Sequence, residues 1–164
     1  RKEEIDRNPY LVWKTSGFLE TTPGRAISKL HVLQRLQELQ DCFDIQCIAY
    51  DRWRMEDLVQ MAADYNMTLP EMVPFGQGYK DMSPAIESFE TALLNGQVAH
   101  NGHPILTMCA ANAVTTQDPA GNIKLDKTKA TGRIDLIVAA VMGAGVALLS
   151  DKQTKPVKQG VIIL

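Results

Sequence analysis

The sequence has few cysteines, and none is spaced as in a disulfide framework or a zinc site. Cys42, Cys47 and Cys109 are an odd number in mostly apolar surroundings, which is typical of reduced core thiols in a cytosolic protein. No CxxC pair is present, and the three histidines lie elsewhere in the chain. We therefore expect neither disulfides nor a zinc centre.

The sequence also lacks a long uninterrupted apolar run and a P-loop. The longest apolar run, residues 134–149, contains Asp135 and two glycines and is shorter than the roughly 20 residues that cross a bilayer. It predicts a buried helix, and no membrane partner is expected. Gly76-Gln77-Gly78 is not followed by the GxxxxGK[ST] pattern, so it is interpreted as a turn and not as a phosphate-binding loop.

The chain has 164 residues, of which 45% are hydrophobic, and a formal net charge of -2. This composition is typical of a globular domain, and affinity for nucleic acid would have to come from local clusters of cations. Residues 1–4 are charged and resemble no signal peptide. We interpret this start as a fragment boundary, with one partial domain over residues 1–149 and a basic, then apolar, tail over 150–164.

Helical and strand patterns alternate along the chain, which predicts an α/β fold with a partly parallel sheet. Ser83 is predicted to be the N-cap of one helix, with Pro84 in its first turn. The predicted elements are two short strands within 9–22 and then, in order, a helix over about 26–40, a strand at 45–50, a helix at 54–66, a strand at 71–74, a helix to about 94, a helix at 104–112, a hairpin over 114–125 and a helix at 134–149.

Two aspartates are the main candidates for chemistry. Asp51 lies at the end of a predicted apolar strand, and Asp135 lies at the start of a predicted apolar helix. A carboxylate beside a buried segment costs free energy unless it is paired or binds a metal. Each also has an ordinary structural explanation, because Asp51 could cap the next helix and Asp135 could be a first-turn acid favoured by the helix dipole.

Cations surround both acids. Arg52 and Arg54 follow Asp51, and Asp135 is preceded by four cations with Asp126 among them; these four are Lys124, Lys127, Lys129 and Arg133. Acids that bind Mg²⁺ or Mn²⁺ among basic residues would fit a phosphodiester substrate, because lysine and arginine side chains bind backbone phosphates. A solvated charged loop is the alternative explanation.

Other polar residues point less clearly to a role. His100 and His103 are interpreted as part of a turn and not as an HNH nuclease motif, and Trp13 and Trp53 as core residues. Asn112 could orient a site residue or cap a turn, and the sequence leaves both alternatives open.

The ordered set of motifs resembles the large terminase subunits of tailed bacteriophages over about residues 9–148. The matching segments are Tyr10, Trp13, Gly17 and Thr22-Pro23-Gly24, Ile48-Ala49-Tyr50-Asp51-Arg52-Trp53, Phe75-Gly76-Gln77-Gly78 with Met82-Ser83-Pro84-Ala85, His100-Asn101-Gly102-His103-Pro104 with Asn112, and Gly121-Asn122-Ile123-Lys124 running on to Lys127, Lys129 and Arg133-Ile134-Asp135.

This resemblance implies an RNase H-like nuclease: a mixed sheet flanked by helices that follows an ATPase domain in the complete protein. The implied activity is cutting of concatemeric phage DNA in the host cytoplasm, with two Mg²⁺ or Mn²⁺ ions held by acids. Asp51 matches the family's second acid and Asp135 the third. The first acid belongs to an earlier strand that residues 1–9 do not resemble, and Asp6 is not assigned that role. The implied partners are double-stranded viral DNA, the portal protein and the small terminase subunit.

Two other functions are kept as hypotheses. The chain could be an inactive terminase remnant that docks on the portal or on the small subunit, as the missing first strand and the apolar tail suggest. It could also be a small-molecule phosphohydrolase that uses the same two acids, which predicts turnover that excess DNA does not inhibit.

Overall fold

The computed structural model describes residues 6–24, 26–52 and 55–150. The chain divides into a smaller unit, residues 20–75, and a larger unit, residues 1–19 with 76–164. The elements within the described residues are α1 (Tyr10–Thr15), α2 (Lys29–Cys42), β1 (Cys47–Tyr50), α3 (Glu56–Asp64), β2 (Glu71–Pro74), α4 (Tyr79–Leu94), α5 (Pro104–Asn112), β3 (Thr115–Gln117), β4 (Ile123–Leu125) and α6 (Asp135–Ser150).

The smaller unit is a parallel β1–α3–β2 arrangement with α2 packed on α3. The strands pair in a register that sets Cys47 opposite Glu71 and Tyr50 opposite Pro74. Leu33 of α2 is fully buried, and Leu58 of α3 is buried in the same hydrophobic cluster. Burying a leucine side chain stabilises a fold by about 1.5–3 kcal/mol. The predicted helix–strand–helix–strand order and the parallel pairing are confirmed here.

In the larger unit, the apolar helix α6 packs against α4 and α5, and α4 also packs against β4. Met82 and Phe89 of α4, Cys109 of α5 and Val138 of α6 are buried. β3 and β4 form the predicted antiparallel hairpin. The α/β class is thus confirmed, and the strands of the described residues form two separate two-stranded sheets.

The prediction of two strands within residues 9–22 is wrong, because α1 occupies the first half of that segment. The run Tyr10 to Trp13 is continuously apolar, and a short run of this kind does not distinguish a strand from a helix. In the helix, the backbone N–H of Trp13 donates to the carbonyl of Pro9 at 3.0 Å. The Trp13 ring also meets the Tyr10 ring edge-on, with centroids 5.5 Å apart. Trp13 is buried, as expected of a core residue.

Ser83 is not an N-cap, so that prediction is also wrong. Helix α4 begins four residues earlier, at Tyr79, and carries Pro84 inside its second turn. The proline removes one hydrogen bond near the helix start, which α4 tolerates because its apolar face is buried. The Ser83 hydroxyl is itself buried; it donates to Glu87 Oε1 at 3.3 Å and accepts from the backbone N–H of Ile123 at 3.1 Å.

The structure shows no helix, among residues 6–24, 26–52 and 55–150, that is long and apolar enough to cross a membrane. The tail predicted from residue 150 onward lies outside the described residues beyond Ser150.

The tip of the hairpin is organised by one carboxylate. Asp118 accepts hydrogen bonds from Asn122 through both its backbone N–H and its side-chain amide, each at 2.9 Å, and from the Ala120 N–H at 3.0 Å. These bonds favour the charged form, and the side-chain amide of Asn122 is the largest cause of the lowered pKa of Asp118.

This turn makes a pH prediction. Because the pKa of Asp118 is lowered on folding, its contribution to hairpin stability is present above the ordinary carboxyl pKa and is lost as pH falls through the lower folded-state value. We expect Asn122→Ala to raise the pKa of Asp118 toward its ordinary value, as followed by carboxyl NMR. Asp126 is the internal control, since its pKa is lowered mainly by Thr128; an unchanged Asp118 titration would contradict this account.

Candidate metal and DNA site

Asp51 lies directly after β1, at the carboxyl end of the parallel β1–β2 pair, and is exposed. The pairing continues past the strands, because the backbone N–H of Phe75 donates to the Tyr50 carbonyl at 2.8 Å. Functional groups of open α/β sheets are found at this edge. The alternative explanation of Asp51 as a helix cap is wrong, because α3 begins at Glu56 with Met55 as its N-cap.

Asp135 is the first residue of α6, and its side chain is 70% exposed. Ile134, directly before it, is buried and anchors the start of the helix. The carboxylate pairs with Lys127, whose Nζ lies 3.3 Å from Oδ1. Its first-turn position is favoured by the helix dipole, and its exposure also leaves it accessible to a cation from solvent.

The segment that leads into Asp135 is held by distant residues. The Asn112 side-chain amide donates to the Arg133 carbonyl at 3.2 Å. The Arg133 guanidinium donates through Nε to Asp6 Oδ2 at 3.3 Å, and the Tyr10 hydroxyl donates to the same oxygen at 2.8 Å. The hydrogen bond to Asp6 raises the pKa of Arg133, and a guanidinium is cationic in proteins in any case.

Sequence reasoning missed the contact between Asp6 and Arg133 altogether. The two residues are 127 positions apart, and nothing in a charged N-terminal segment indicates which cation it will meet. Asn112 carried a partial signal, because its polar amide ends an otherwise apolar helix.

The cations predicted near Asp135 differ in what they contact. Lys124 Nζ lies 4.9 Å from the centroid of the Tyr79 ring, a cation–π distance. Lys127, Lys129 and Arg133 are exposed. Asp126, the one acid among these cations, forms hydrogen bonds within its own loop. Its carboxylate accepts from the Thr128 N–H at 2.8 Å and from the Thr128 hydroxyl at 2.6 Å.

The predicted site residues fall into both units. The structure brings Asp135 together with Lys127 in the larger unit, which also contains Lys124, Lys129 and Arg133. Asp51 and the exposed Arg52 belong to the smaller unit, and Arg54 lies outside the described residues.

The donor set can be compared with what divalent cations require. In the part of the chain that the structure describes, no three His, Cys, Asp or Glu residues lie close enough together to hold a metal ion. Mg²⁺ needs fewer protein ligands than that, because it commonly binds one or two carboxylates and completes its shell with water and substrate phosphates. Asp51 and Asp135, each taken by itself, offer the oxygen donors that Mg²⁺ or Mn²⁺ accepts from a carboxylate.

All three cysteines are free thiols. Cys109 is buried, as expected of a core thiol, and Cys47 is half-buried. The core prediction is wrong for Cys42, because this last residue of α2 is exposed to solvent. His100 and His103 lie in the irregular segment before α5 and not in the ββα surroundings of an HNH motif: His100 Nδ1 accepts from the Gly102 N–H at 3.2 Å, and His103 is the N-cap residue of α5.

Comparison with known proteins gives one family. The model of the terminase large subunit endonuclease domain matches residues 1–151. The terminase large subunit of Enterobacteria phage HK97 is 48% identical over 146 residues, which are 89% of this chain and 29% of that protein. Protein YmfN of Escherichia coli (strain K12) is 27% identical over 143 residues, which are 86% of this chain and 31% of that protein.

A solved structure agrees with the sequence match. The crystal structure of the HK97 bacteriophage large terminase aligns with a TM-score of 0.83 at 48% identity, over 88% of this chain and 30% of that one. The chain thus spans about 30% of the length of the relatives it matches. Because the family model covers nearly the whole chain and the HK97 protein is almost half identical to it, the chain belongs to the terminase large subunit family and corresponds to its endonuclease domain.

Proposed function

We propose that the chain is the metal-dependent endonuclease domain of a viral DNA-packaging motor and cuts concatemeric phage DNA by two-metal phosphodiester hydrolysis. The observation that carries the proposal is the placement of Asp51 and Asp135. Each is an exposed carboxylate at the end of an ordered element, one at a parallel strand edge and one at a helix start. The proposed fold is RNase H-like, a mixed sheet flanked by helices.

In this proposal Asp51 and Asp135 are both metal ligands and catalytic residues. Their oxygens are the hard donors that Mg²⁺ and Mn²⁺ prefer. Two such ions, when bound, supply an activated water and stabilise the leaving oxygen. The protein's own part is to hold the two carboxylates in place and to bring the phosphodiester to them.

The cations around the acids are proposed to bind the DNA backbone. Phosphate contacts set position and orientation and carry little sequence information. Lys129 and Arg133 are exposed and precede Asp135 in the sequence, and Lys124 and Lys127 belong to the same basic stretch. Arg52 and Arg54 are proposed to do the same beside Asp51.

The proposal extends to the longer protein of which this chain resembles a part. Because the chain spans about 30% of its relatives, we infer that it works with an ATPase domain of a full-length chain. The portal protein and the small terminase subunit are the proposed partners, and the bacterial host cytoplasm is the proposed place of action. An inactive remnant would bind these partners without cutting DNA, so a cleavage assay separates the two functions.

The acids give the first functional prediction. We expect Asp51→Asn and Asp135→Asn each to lower the rate of plasmid cleavage with Mn²⁺ by about 100-fold or more, since even the outer partners of metal ligands are worth 10–100-fold. Asp41→Asn and Glu90→Gln, which change exposed acids of the two units, are the matched controls and should cut at the wild-type rate. Equal cutting by all variants would remove Asp51 and Asp135 from the mechanism.

The cations give a second prediction. Each phosphate contact that is removed should reduce the slope of log Kd against log salt concentration by about 0.9 for duplex DNA. We expect Lys129→Gln to show this loss in fluorescence anisotropy without divalent metal. Lys80→Gln, at an exposed lysine of α4, is the control of equal charge change. If both variants keep the wild-type slope, Lys129 does not contact DNA.

A further inference from the structure

Asn112, the last residue of α5, contacts the backbone that enters α6 through three hydrogen bonds. Its amide donates to the Arg133 carbonyl at 3.2 Å. Its side-chain oxygen accepts from the Thr131 hydroxyl at 3.1 Å, and its own carbonyl accepts from the Thr131 N–H at 3.3 Å. Both ends of the amide are therefore used on a segment about 20 residues away.

Gly132 shows how closely this segment approaches the amide. A Cβ at position 132 would lie 2.6 Å from Asn112 Nδ2, closer than non-bonded atoms allow, and 3.0 Å from its Cγ, a tight contact. The absence of a side chain at Gly132 is thus what permits Asn112 to reach the residues on either side of it.

The side chain of Arg133 is bound by Asp6, whereas Asn112 contacts the backbone carbonyl of this residue. Asp6 accepts from Arg133 Nε at 3.3 Å and from the Tyr10 hydroxyl at 2.8 Å, and the Asp6 side chain is 16% exposed. Asn112 therefore fixes the backbone of Arg133 while Asp6 orients its guanidinium, and Asp135 follows two residues later.

The position of the Asp135 carboxylate depends on this backbone more than on its own ion pair. Asp135 is 70% exposed and Lys127 is 49% exposed, and pairs between exposed groups hold a geometry weakly. The segment Thr131–Arg133 and the buried Ile134 determine where α6 begins, and so where its first carboxylate lies.

We propose that Asn112 is a positioning residue for the nuclease site. It acts through the Arg133 carbonyl and the Thr131 hydroxyl to hold Asp135 where it ligates a divalent cation, with Arg133 beside it for the phosphate. This inference rests on the proposed function, because it assigns Asn112 a role in metal binding by Asp135.

The test is Mn²⁺ binding by isothermal titration calorimetry on the whole chain without DNA. Removing a group that orients a metal ligand typically costs 10–100-fold in affinity, so Asn112→Ala should weaken Mn²⁺ binding about 10-fold. Thr131→Val keeps the shape of the side chain, removes a single hydroxyl and should weaken binding by a smaller factor in the same direction. Asn95→Ala changes an exposed asparagine at the end of a different helix, α4, and should bind Mn²⁺ as the wild type does.

Hydrogen exchange of the backbone amides of residues 131–138 provides a readout that does not depend on metal. Both Asn112→Ala and Thr131→Val should speed exchange there, while the amides of α2 keep their wild-type rates. Thr131→Val is the milder change and keeps the test valid if Asn112→Ala fails to fold.

The failures are distinguishable. If Asp135→Asn abolishes Mn²⁺ binding but Asn112→Ala and Thr131→Val bind as tightly as the wild type, the positioning role is wrong and the proposed function stands. If Asp135→Asn leaves Mn²⁺ binding unchanged, or the wild type binds none, the proposed function is wrong and this inference falls with it.

Discussion

Burial of helix α6 is the interaction on which the larger unit depends. Its residues Val138, Val141 and Met142 are buried, and the helix packs against α4 and α5. Dense packing of this kind leaves a helix little freedom to shift along its axis. The start of α6 is therefore fixed in space, and a carboxylate at its first position is held at a defined place without needing to be buried itself.

The polar contacts around that start follow from the same packing. Because α5 lies against α6, its last residue, Asn112, is within reach of the segment that enters α6. The parallel pair β1–β2 positions Asp51 in a similar way. The pairing of Tyr50 with Pro74 fixes the end of β1, and Asp51 is the next residue. In both cases apolar elements and backbone pairing position an exposed acid, which can then meet a cation and a phosphate from solvent.

Much of the fold could be predicted from the sequence, because its elements have clear local signals. The strand ending at Tyr50, the hairpin with its Asp118 tip and the apolar helix α6 are each marked by a run bounded by turn residues. Helix α1 and the start of α4 could not be predicted in this way. The apolar run at Tyr10 fits a helix or a strand equally, and Pro84 suggested a helix start where α4 was already in its second turn.

The candidate site could be argued from the sequence only in part, for a physical reason. Asp51 and Asp135 could be selected as candidates because each stands where an apolar element ends or begins. The residues that hold Asp135 could not, since Asp6 and Arg133 meet across 127 positions and Asn112 meets Arg133 across 21. Such contacts are set by tertiary packing, which no local pattern encodes.

We propose that Asp51 and Asp135 are each ligands of the divalent cations that the nuclease uses. Anomalous X-ray diffraction from crystals of the chain grown with Mn²⁺ and a short DNA duplex tests it most directly. We expect Mn²⁺ within about 2–2.5 Å of oxygens from both aspartates, beside a backbone phosphate. Manganese bound at other residues, or carboxylates too far apart to share the metal site, would contradict it.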